Sequence, residues 1–458
     1  MTTPLPMGFR ITMDVALRQV AEGTWVGGSP ERALRLTAAG GVAMAELRDG
    51  PVASAGAGAL ARRLTDAGFA HPRPPVLRDT PDVTVVIPVR DRAEPLDRCL
   101  AALGRRYPVV VVDDGSAVPV PLAEVAARHG AILVRRPRNG GAGPARNTGL
   151  DNVDTEFVAF VDSDCEPSGD WIEQLAAHFA DPLVAAVAPR IVVTSTSSGL
   201  RAMSEGALDL GDQPARVLPN TRVSYVPTAA LLVRGSALGG TARAFDESIG
   251  RGEDVDLVWR LHEAGWRIRY DPTVVVGHSE PTTWSALLAR RFRYGRSAGP
   301  LAVRHPGAAP PLVLHPWPTV VVAALLARRP VVAALAYGWS VLAAHRRSGT
   351  PTPDVAKAML GGVHQTWLGI GRYSVRFAAP ALVVALLAPG ANSRRAAVAS
   401  LLLGPALTAW LAEGRAPDPV RFVVGRLADD VAYGAGVLSG CVTARTTKPI
   451  RPSVRWRA

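Results

Sequence analysis

The chain has 458 residues, a formal net charge of +12, an apolar share of 48% and a mean hydropathy of +0.14. That length allows two or three units, and a basic surface suits nucleic acid, an anionic bilayer or a phosphorylated substrate. No zinc-finger spacing, RNA-binding signature or long block of Lys and Arg is present, so nucleic acid is the weakest of the three and no nucleic-acid partner is expected.

Cys99, Cys165 and Cys441 are far apart and odd in number, which points to a reducing compartment without a disulfide framework. Met1–Arg10 lacks the basic and then apolar run of a signal peptide, so the catalytic part is expected to face the cytoplasm.

Residues 1–75 read as a small N-terminal α+β domain. Short β-like runs at Phe9–Met13 and Thr24–Val26 precede a helical pattern over Gly58–Ala67, and the Pro-rich His71–Val76 reads as a linker.

Residues 76–305 read as α/β. Strands are expected at Val83–Val89, Val109–Val112, Ala131–Arg135 and Glu156–Val161. Helices are expected at Pro95–Arg106, at Pro121–His129 and after the Gly140–Gly143 run. Alternation at this spacing implies a parallel sheet with right-handed crossovers. Ligands then sit beyond the carboxyl ends of the strands, where Pro88–Arg92, Asp113–Ser116 and Asp162–Asp164 fall.

Residues 306–458 are helical and apolar in pattern. The runs Val320–Leu326, Val331–Leu342, Ala378–Leu387 and Ala396–Trp410 each fall short of the ~20 residues that cross a bilayer. Lys and Arg flank nearly every run, so charge bias gives no topology. Helices lying in, or dipping into, the cytoplasmic membrane surface are expected ahead of a soluble helical domain, with spanning hairpins left open.

The strongest chemical signal is Asp162-Ser163-Asp164 after the apolar Phe157–Val161. Alternation puts both carboxylates on one side of the chain where the strand leaves its sheet. Such a pair suits a hard divalent cation that clasps a diphosphate. Pro88, Arg90 and Asp91 follow the first strand, where the plain alternative is an ordinary strand-to-helix turn.

Asp114 can accept a hydrogen bond from a uracil ring, or Asp113 and Asp114 can simply make a helix cap or an Asx turn. The Gly140–Gly143 run leads to a helix N-terminus, which favours anions. It has neither the Lys-Ser/Thr of a P-loop nor a dinucleotide fingerprint. Arg146 on that helix can hold a phosphate or clamp Asp162, or be a surface residue.

Asp254, with Glu253 second, is the candidate general base at the start of a helix faced by Val255, Val258, Trp259 and Leu261; plain helix capping fits equally well. His278 ends an apolar run and is a candidate third metal ligand. Arg290, Arg293 and Tyr294 are candidates to meet a phosphate or the acceptor, against the alternative of a solvated basic face.

Taken in order, Val85–Pro88, Asp113–Ser116, Ala145–Asn147, Asp162–Asp164 and Glu253-Asp254 resemble the family 2 glycosyltransferases of the GT-A fold, over about residues 82–300. The resemblance implies inverting transfer from a nucleotide sugar, usually a UDP-sugar, with Mg²⁺ or Mn²⁺. Pro88, Arg90, Asp91, Asp114, Arg146 and Asp162 would then hold the nucleotide, Asp162 and Asp164 the metal-diphosphate, and Asp254 would be the base. The Gln-x-x-Arg-Trp motif of processive synthases is absent, and Arg290–Gly295 stands in its place, which puts long-chain synthesis in doubt.

Gly27–Pro30, Leu60–Pro75, Asp162–Cys165 and Arg293–Leu301 look like the mycofactocin-system glycosyltransferases of actinobacteria. That closer resemblance implies addition of β-linked glucose, once or repeatedly to a short oligosaccharide, to a peptide-derived redox cofactor precursor. It also makes residues 8–70 similar to the winged-helix domains that recognise modified-peptide precursors. Two alternatives stay open: the same chemistry on a polyprenyl phosphate or cell-envelope glycan, and a non-catalytic membrane adaptor with the same fold.

Overall fold

The computed structural model describes residues 3–21, 23–194, 208–239, 243–279, 283–308, 310–348, 352–412 and 418–455. Two compact units divide the chain. The first comprises Met1–Arg18, Val26–Thr196 and Glu205–Glu280, and the second is centred on Pro281–Ala458.

The chain opens with β1 (Arg10–Met13), β2 (Arg18–Ala21), β3 (Thr24–Gly27) and β4 (Arg32–Arg35). Two helices follow, α1 (Ala38–Asp49) and α2 (Ala55–Ala67), each started by a side-chain cap, from Thr37 and Ser54. The first half of the segment expected to be a linker, His71–Arg73, instead belongs to a strand, β5 (Ala70–Arg73), paired antiparallel with β1 so that Met13 faces Ala70 and Arg10 faces Arg73, while residues 74–76 are irregular. The strand's proline, Pro72, misled because a two-stranded ribbon leaves one edge of each strand without a ladder, where a missing N–H costs nothing. Burial of His71 against Asp14, 2.8 Å away, fixes the strand further.

Helix α2 is held to the rest of the first unit by buried ion pairs. Arg62 grips Asp181 through two hydrogen bonds of 2.7 and 2.8 Å, with both side chains almost wholly buried. One turn on, Asp66 accepts two more from Arg267, at 2.8 and 2.6 Å.

The core of the first unit begins with β6 (Val83–Val89), α3 (Ala93–Leu103), β7 (Val109–Asp113), α4 (Val120–His129), β8 (Ile132–Arg135) and α5 (Ala142–Leu150). It continues with β9 (Phe157–Val161), β10 (Cys165–Pro167), α6 (Trp171–Ala176), β11 (Val184–Val193), β12 (Ala215–Val217) and β13 (Ala230–Arg234). It closes with α7 (Gly235–Leu238), α8 (Glu253–Glu263) and β14 (Arg267–His278).

Among the described residues these strands form one mixed sheet in the order β10-β14-β11-β13-β9-β6-β7-β8, with β12 on β14. The half formed by β9, β6, β7 and β8 is wholly parallel. The inner strands β9, β6 and β7 are nearly continuous apolar runs because both of their faces are covered, whereas the edge strand β8 is partly exposed.

From β6 the chain steps outward through β7 to β8, then returns along α5 to place β9 on the other side of β6. That reversal opens a crevice at the carboxyl ends of β6 and β9, the usual ligand position in such sheets.

The second unit is helical: α9 (Trp284–Arg296), α10 (Ala298–Arg304), α11 (Pro316–Leu326), α12 (Pro330–Ser348), α13 (Thr352–Leu387), α14 (Asn392–Ala412) and α15 (Pro419–Thr443). Gly295, Gly436 and Gly440 let α9 and α15 touch backbone to backbone. The helices run past the breaks in the apolar pattern. As a result α13 and α14 are long and apolar enough to cross a membrane, by length and composition, where the separate runs were not. α13 kinks at Ala378, just ahead of Pro380.

Candidate active site

Three loops meet at the crevice. After β6 the chain enters a left-handed turn at Asp91, with φ 53°. That strained conformation is held from the neighbouring loop: the Asp91 N–H donates to Ser116 Oγ at 2.9 Å, and Asp91 Oδ1 accepts from the Ala117 N–H at 2.8 Å. Asp91 thus stitches the end of β6 to the end of β7. Arg90 lies 3.4 Å from the Asp91 carboxylate, and Pro88 is the penultimate residue of β6.

After β7, Asp113 and Asp114 divide their work. Asp113 is fully buried and accepts the Ser116 N–H, three residues on, at 2.8 Å, a cap-like contact that closes the turn. Gly115, at φ 71°, lets this turn pass against the backbone of Arg138 and Asn139. Asp114 accepts from the N–H groups of Gly140 and Gly141, at 3.0 and 2.7 Å, and pairs with the Arg136 guanidinium. Its carboxylate therefore anchors the glycine-rich approach to α5.

Helix α5 faces inward along most of its length. Arg146 is 2% exposed, which excludes the surface reading. Its guanidinium donates to Asp162 Oδ1 at 2.6 Å and to Glu253 Oε1 at 3.0 Å, over the ring of Phe245 at 5.6 Å. Burial works against its charge, but the carboxylates of Asp162, Glu253 and Asp254 outweigh burial and raise its pKa. Next to it, Asn147 donates to the Phe245 carbonyl at 2.8 Å and accepts the Phe245 N–H at 3.0 Å. This clamps the segment that leads into α8.

After β9, Asp164 Oδ2 accepts from Arg92 at 2.6 Å, and its Oδ1 lies 3.6 Å from His278 Nε2. Cys165 and His278 are register partners between β10 and β14, so the sheet itself brings the histidine beside Asp164. At the start of α8, Asp254 is partly buried, and its Oδ1 accepts the Val255 N–H at 2.8 Å. Burial, and after it the charge of Glu253, push the Asp254 carboxyl up to about 7.

Ion pairs link Asp162, Arg146 and Glu253 in one charged chain, with Asp254 next along α8 close enough to feel its charges, and Asp164, Arg92 and His278 form a second group two residues along the Asp162 loop. Asp162 and Asp164, with His278 beside them, are the donors available to a metal. Among the described residues no group of three or more His, Cys, Asp or Glu is gathered to hold one. The donor set fits a Mg²⁺- or Mn²⁺-like ion completed by phosphate oxygens and water, and does not fit an all-protein cage.

Arg290, Arg293 and Tyr294 lie on α9 in the second unit, with the Arg290 guanidinium 6.0 Å from the centre of the Tyr294 ring. The sequence reading missed Arg92 and Arg136. Nothing in the text separates Arg92 from Arg90, and Arg136 lies outside every motif.

A family model for glycosyl transferase family 2 matches residues 84–238, from β6 through α7. The pre-mycofactocin glycosyltransferase of Mycobacterium tuberculosis (strain ATCC 25618 / H37Rv) is 40% identical over 99% of this chain and 99% of its own. Glycosyltransferase AglE of Haloferax volcanii is 26% identical over 47% of this chain and 72% of its own. Among solved structures, the mannosyltransferase PcManGT from Pyrobaculum calidifontis, in complex with GDP-Man and Mn²⁺, aligns over 80% of this chain and 89% of its own at 21% identity, with a TM-score of 0.47. The chain is a glycosyltransferase with a GT-A core, and it belongs to the pre-mycofactocin glycosyltransferases within family 2.

Proposed function

We propose that this enzyme transfers a hexose, β-linked glucose from UDP-glucose, to the peptide-derived redox cofactor precursor premycofactocin, with inversion at the anomeric carbon. A relative named pre-mycofactocin glycosyltransferase, 40% identical over 99% of both chains, supports this acceptor. The observation that carries the chemistry is the buried Arg146, which bridges Asp162 of the carboxylate rim to Glu253, the neighbour of Asp254, whose carboxyl is raised to about 7.

Asp254 accepts the proton of the attacking acceptor hydroxyl, its raised pKa making it a stronger base than an ordinary carboxylate near neutral pH. Glu253 keeps that pKa high and holds Arg146. Arg146 orients Asp162, and Arg92 stands ready to meet the diphosphate as it departs. Asp162, Asp164 and His278 would hold Mg²⁺ or Mn²⁺, which when bound neutralises charge developing on the leaving UDP. Asp91, Asp114 and Arg90 line the nucleotide side, and Arg290, Arg293 and Tyr294 serve the phosphate or the acceptor.

The long apolar helices α13 and α14 favour work at the cytoplasmic membrane surface. They also favour, as a second reading, a lipid-linked acceptor such as a polyprenyl phosphate. Mass spectrometry of products from UDP-glucose with premycofactocin, and separately with a polyprenyl phosphate, tests both. A hexose added to the first supports the proposal. Transfer only to the lipid replaces it, and UDP release with neither acceptor removes it.

A further inference from the structure

Within the second unit, α9, α13, α14 and α15 enclose a cavity of about 110 Å³ that the transfer reaction does not use. Four arginines reach its wall, Arg291 from α9, Arg372 and Arg376 from α13, and Arg426 from α15; two carboxylates, Asp429 and Asp430, oppose them. Both carboxylates are committed. Arg291 grips Asp429 with Nε at 2.5 Å and Nη2 at 2.7 Å, and Arg376 Nε lies 2.6 Å from Asp430. The guanidiniums of Arg376 and Arg291 also flank the Tyr433 ring, at 5.0 and 5.9 Å from its centre.

Arg372, one turn before Arg376, makes no hydrogen bond or ion pair among the described residues. The wall therefore carries more positive than negative charge. The remaining wall is apolar and comes largely from α14, one of the two helices long enough to cross a membrane; Arg372 and Arg376 lie inside the other. Guanidinium groups within such a helix are expensive unless a counter-charge meets them, and they mark binding sites for that reason.

The volume, several times the ~30 Å³ share of one water, admits a tetrahedral oxyanion. The planar fork of arginine matches the oxygens of a phosphate. The two committed pairs hold Arg291 and Arg376 in fixed orientations, so the site is partly built before any ligand arrives.

We propose that this cavity binds a phosphate group, drawn either from an anionic lipid headgroup or from soluble phosphate, with Arg372 as the principal contact and Arg291, Arg376 and Arg426 in the surrounding wall. The site is separate from the carboxylate rim, and the proposal does not depend on which acceptor receives the sugar.

The test uses the full chain in phosphatidylcholine nanodiscs, read by its thermal unfolding midpoint. Phosphatidic acid in the nanodisc and added inorganic phosphate are the two probes. Wild type is expected to be stabilised by phosphatidic acid. Arg372→Gln should need roughly tenfold or more of the anion for the same stabilisation, because it loses a charge-assisted hydrogen bond. Arg346→Gln removes an exposed charge on α12 and should leave the response intact.

Stabilisation by phosphatidic acid alone assigns the lipid headgroup, and equal stabilisation by inorganic phosphate assigns the soluble ion. Failure of both anions to stabilise wild type overturns the proposal. So does an undiminished response in Arg372→Gln, or an equal loss in Arg346→Gln, which would reduce the effect to diffuse surface charge. Arg372→Gln breaks no ion pair, so its folding is not at risk from the substitution itself.

Discussion

Arg146 donates to Asp162 Oδ1 across 2.6 Å from a position almost wholly shielded from solvent. The same guanidinium reaches Glu253 on α8, so one buried cation ties the Asp162 loop to the start of the helix that carries Asp254. Removing it strands two carboxylates and the space above Phe245.

Arg146→Met should cost about 3 kcal/mol of stability, the scale for leaving buried ion-pair partners alone. It should also cut sugar transfer by more than the stability loss explains. Arg146→Lys keeps the charge but cannot serve both carboxylates in one plane, so it should recover stability better than turnover. Urea unfolding together with UDP release at a permissive temperature separates the two effects. Equal recovery of both by lysine would reduce Arg146 to a structural counter-ion.

Arg92 poses the opposite case. Its side chain is 59% exposed, and an exposed pair contributes about 0–1 kcal/mol. Yet it occupies the Asp164 oxygen that a metal would need. Arg92→Ala should therefore leave unfolding unchanged while tightening the affinity for Mn²⁺ in the absence of UDP, because a competing cation has gone. Asp164→Ala should abolish metal-dependent UDP binding altogether. Calorimetric titration of Mn²⁺ and UDP reads both variants. Unchanged metal affinity in Arg92→Ala would mean that the pair does not compete, and retained binding in Asp164→Ala would discard the rim as the metal site.

The elements that position the site were legible because their signals are local. Continuous apolar runs broken by acidic turns gave β6, β7 and β9 to within a residue or two, and Asp162-Ser163-Asp164 stood where the last of them ended. Partners set by long-range contact were not legible. Arg92 meets Asp164 across 72 positions, and Asn147 clamps Phe245 across 98. Asp114 reads equally well as a nucleotide contact or a turn anchor until Gly140 and Gly141 are seen to donate to it. Pro72 suggested a linker because prolines punctuate loops. Only the pairing of β5 with β1 reveals it as part of a ribbon.

Asp254 makes a pH prediction. Its carboxyl is raised to about 7 by burial and by Glu253, so at acidic pH it holds a proton and, as the proposed base, would be blocked. The apparent second-order rate constant for sugar transfer should rise with pH and level off above about 7. Glu253→Gln removes the like charge and should move that rise to lower pH. The raised pKa also fixes the sign of the stability effect: the native state holds a proton that the unfolded chain has lost. The contribution of Asp254 is fully present below the unfolded-state value of about 3.9 and is lost as pH rises through about 7. A pH–rate profile whose rise is the same in Glu253→Gln would separate the base from this pair of carboxyls.

The ion pair between Arg62 and Asp181 tests whether the N-terminal region acts as an independent module. Arg62 lies on α2 and Asp181 just ahead of β11, and the two side chains are 1% and 2% exposed. Arg62 also donates to the Thr3 carbonyl at 2.9 Å, which draws the start of the chain into the same contact. Nearby, Arg267 on β14 holds Asp66 of α2, so two carboxylate–guanidinium forks cross between α2 and the sheet domain. Truncating one member of a buried pair leaves an uncompensated charge and should cost about 3–5 kcal/mol in Arg62→Met. Replacing both members, Arg62→Met with Asp181→Leu, removes the stranded charge and should recover most of that loss. If α2 is integral to the catalytic unit, both variants unfold in one transition. A separate early transition confined to residues 3–73, followed by hydrogen exchange, would show a module that docks and undocks, and the forks would then be hinges and not anchors.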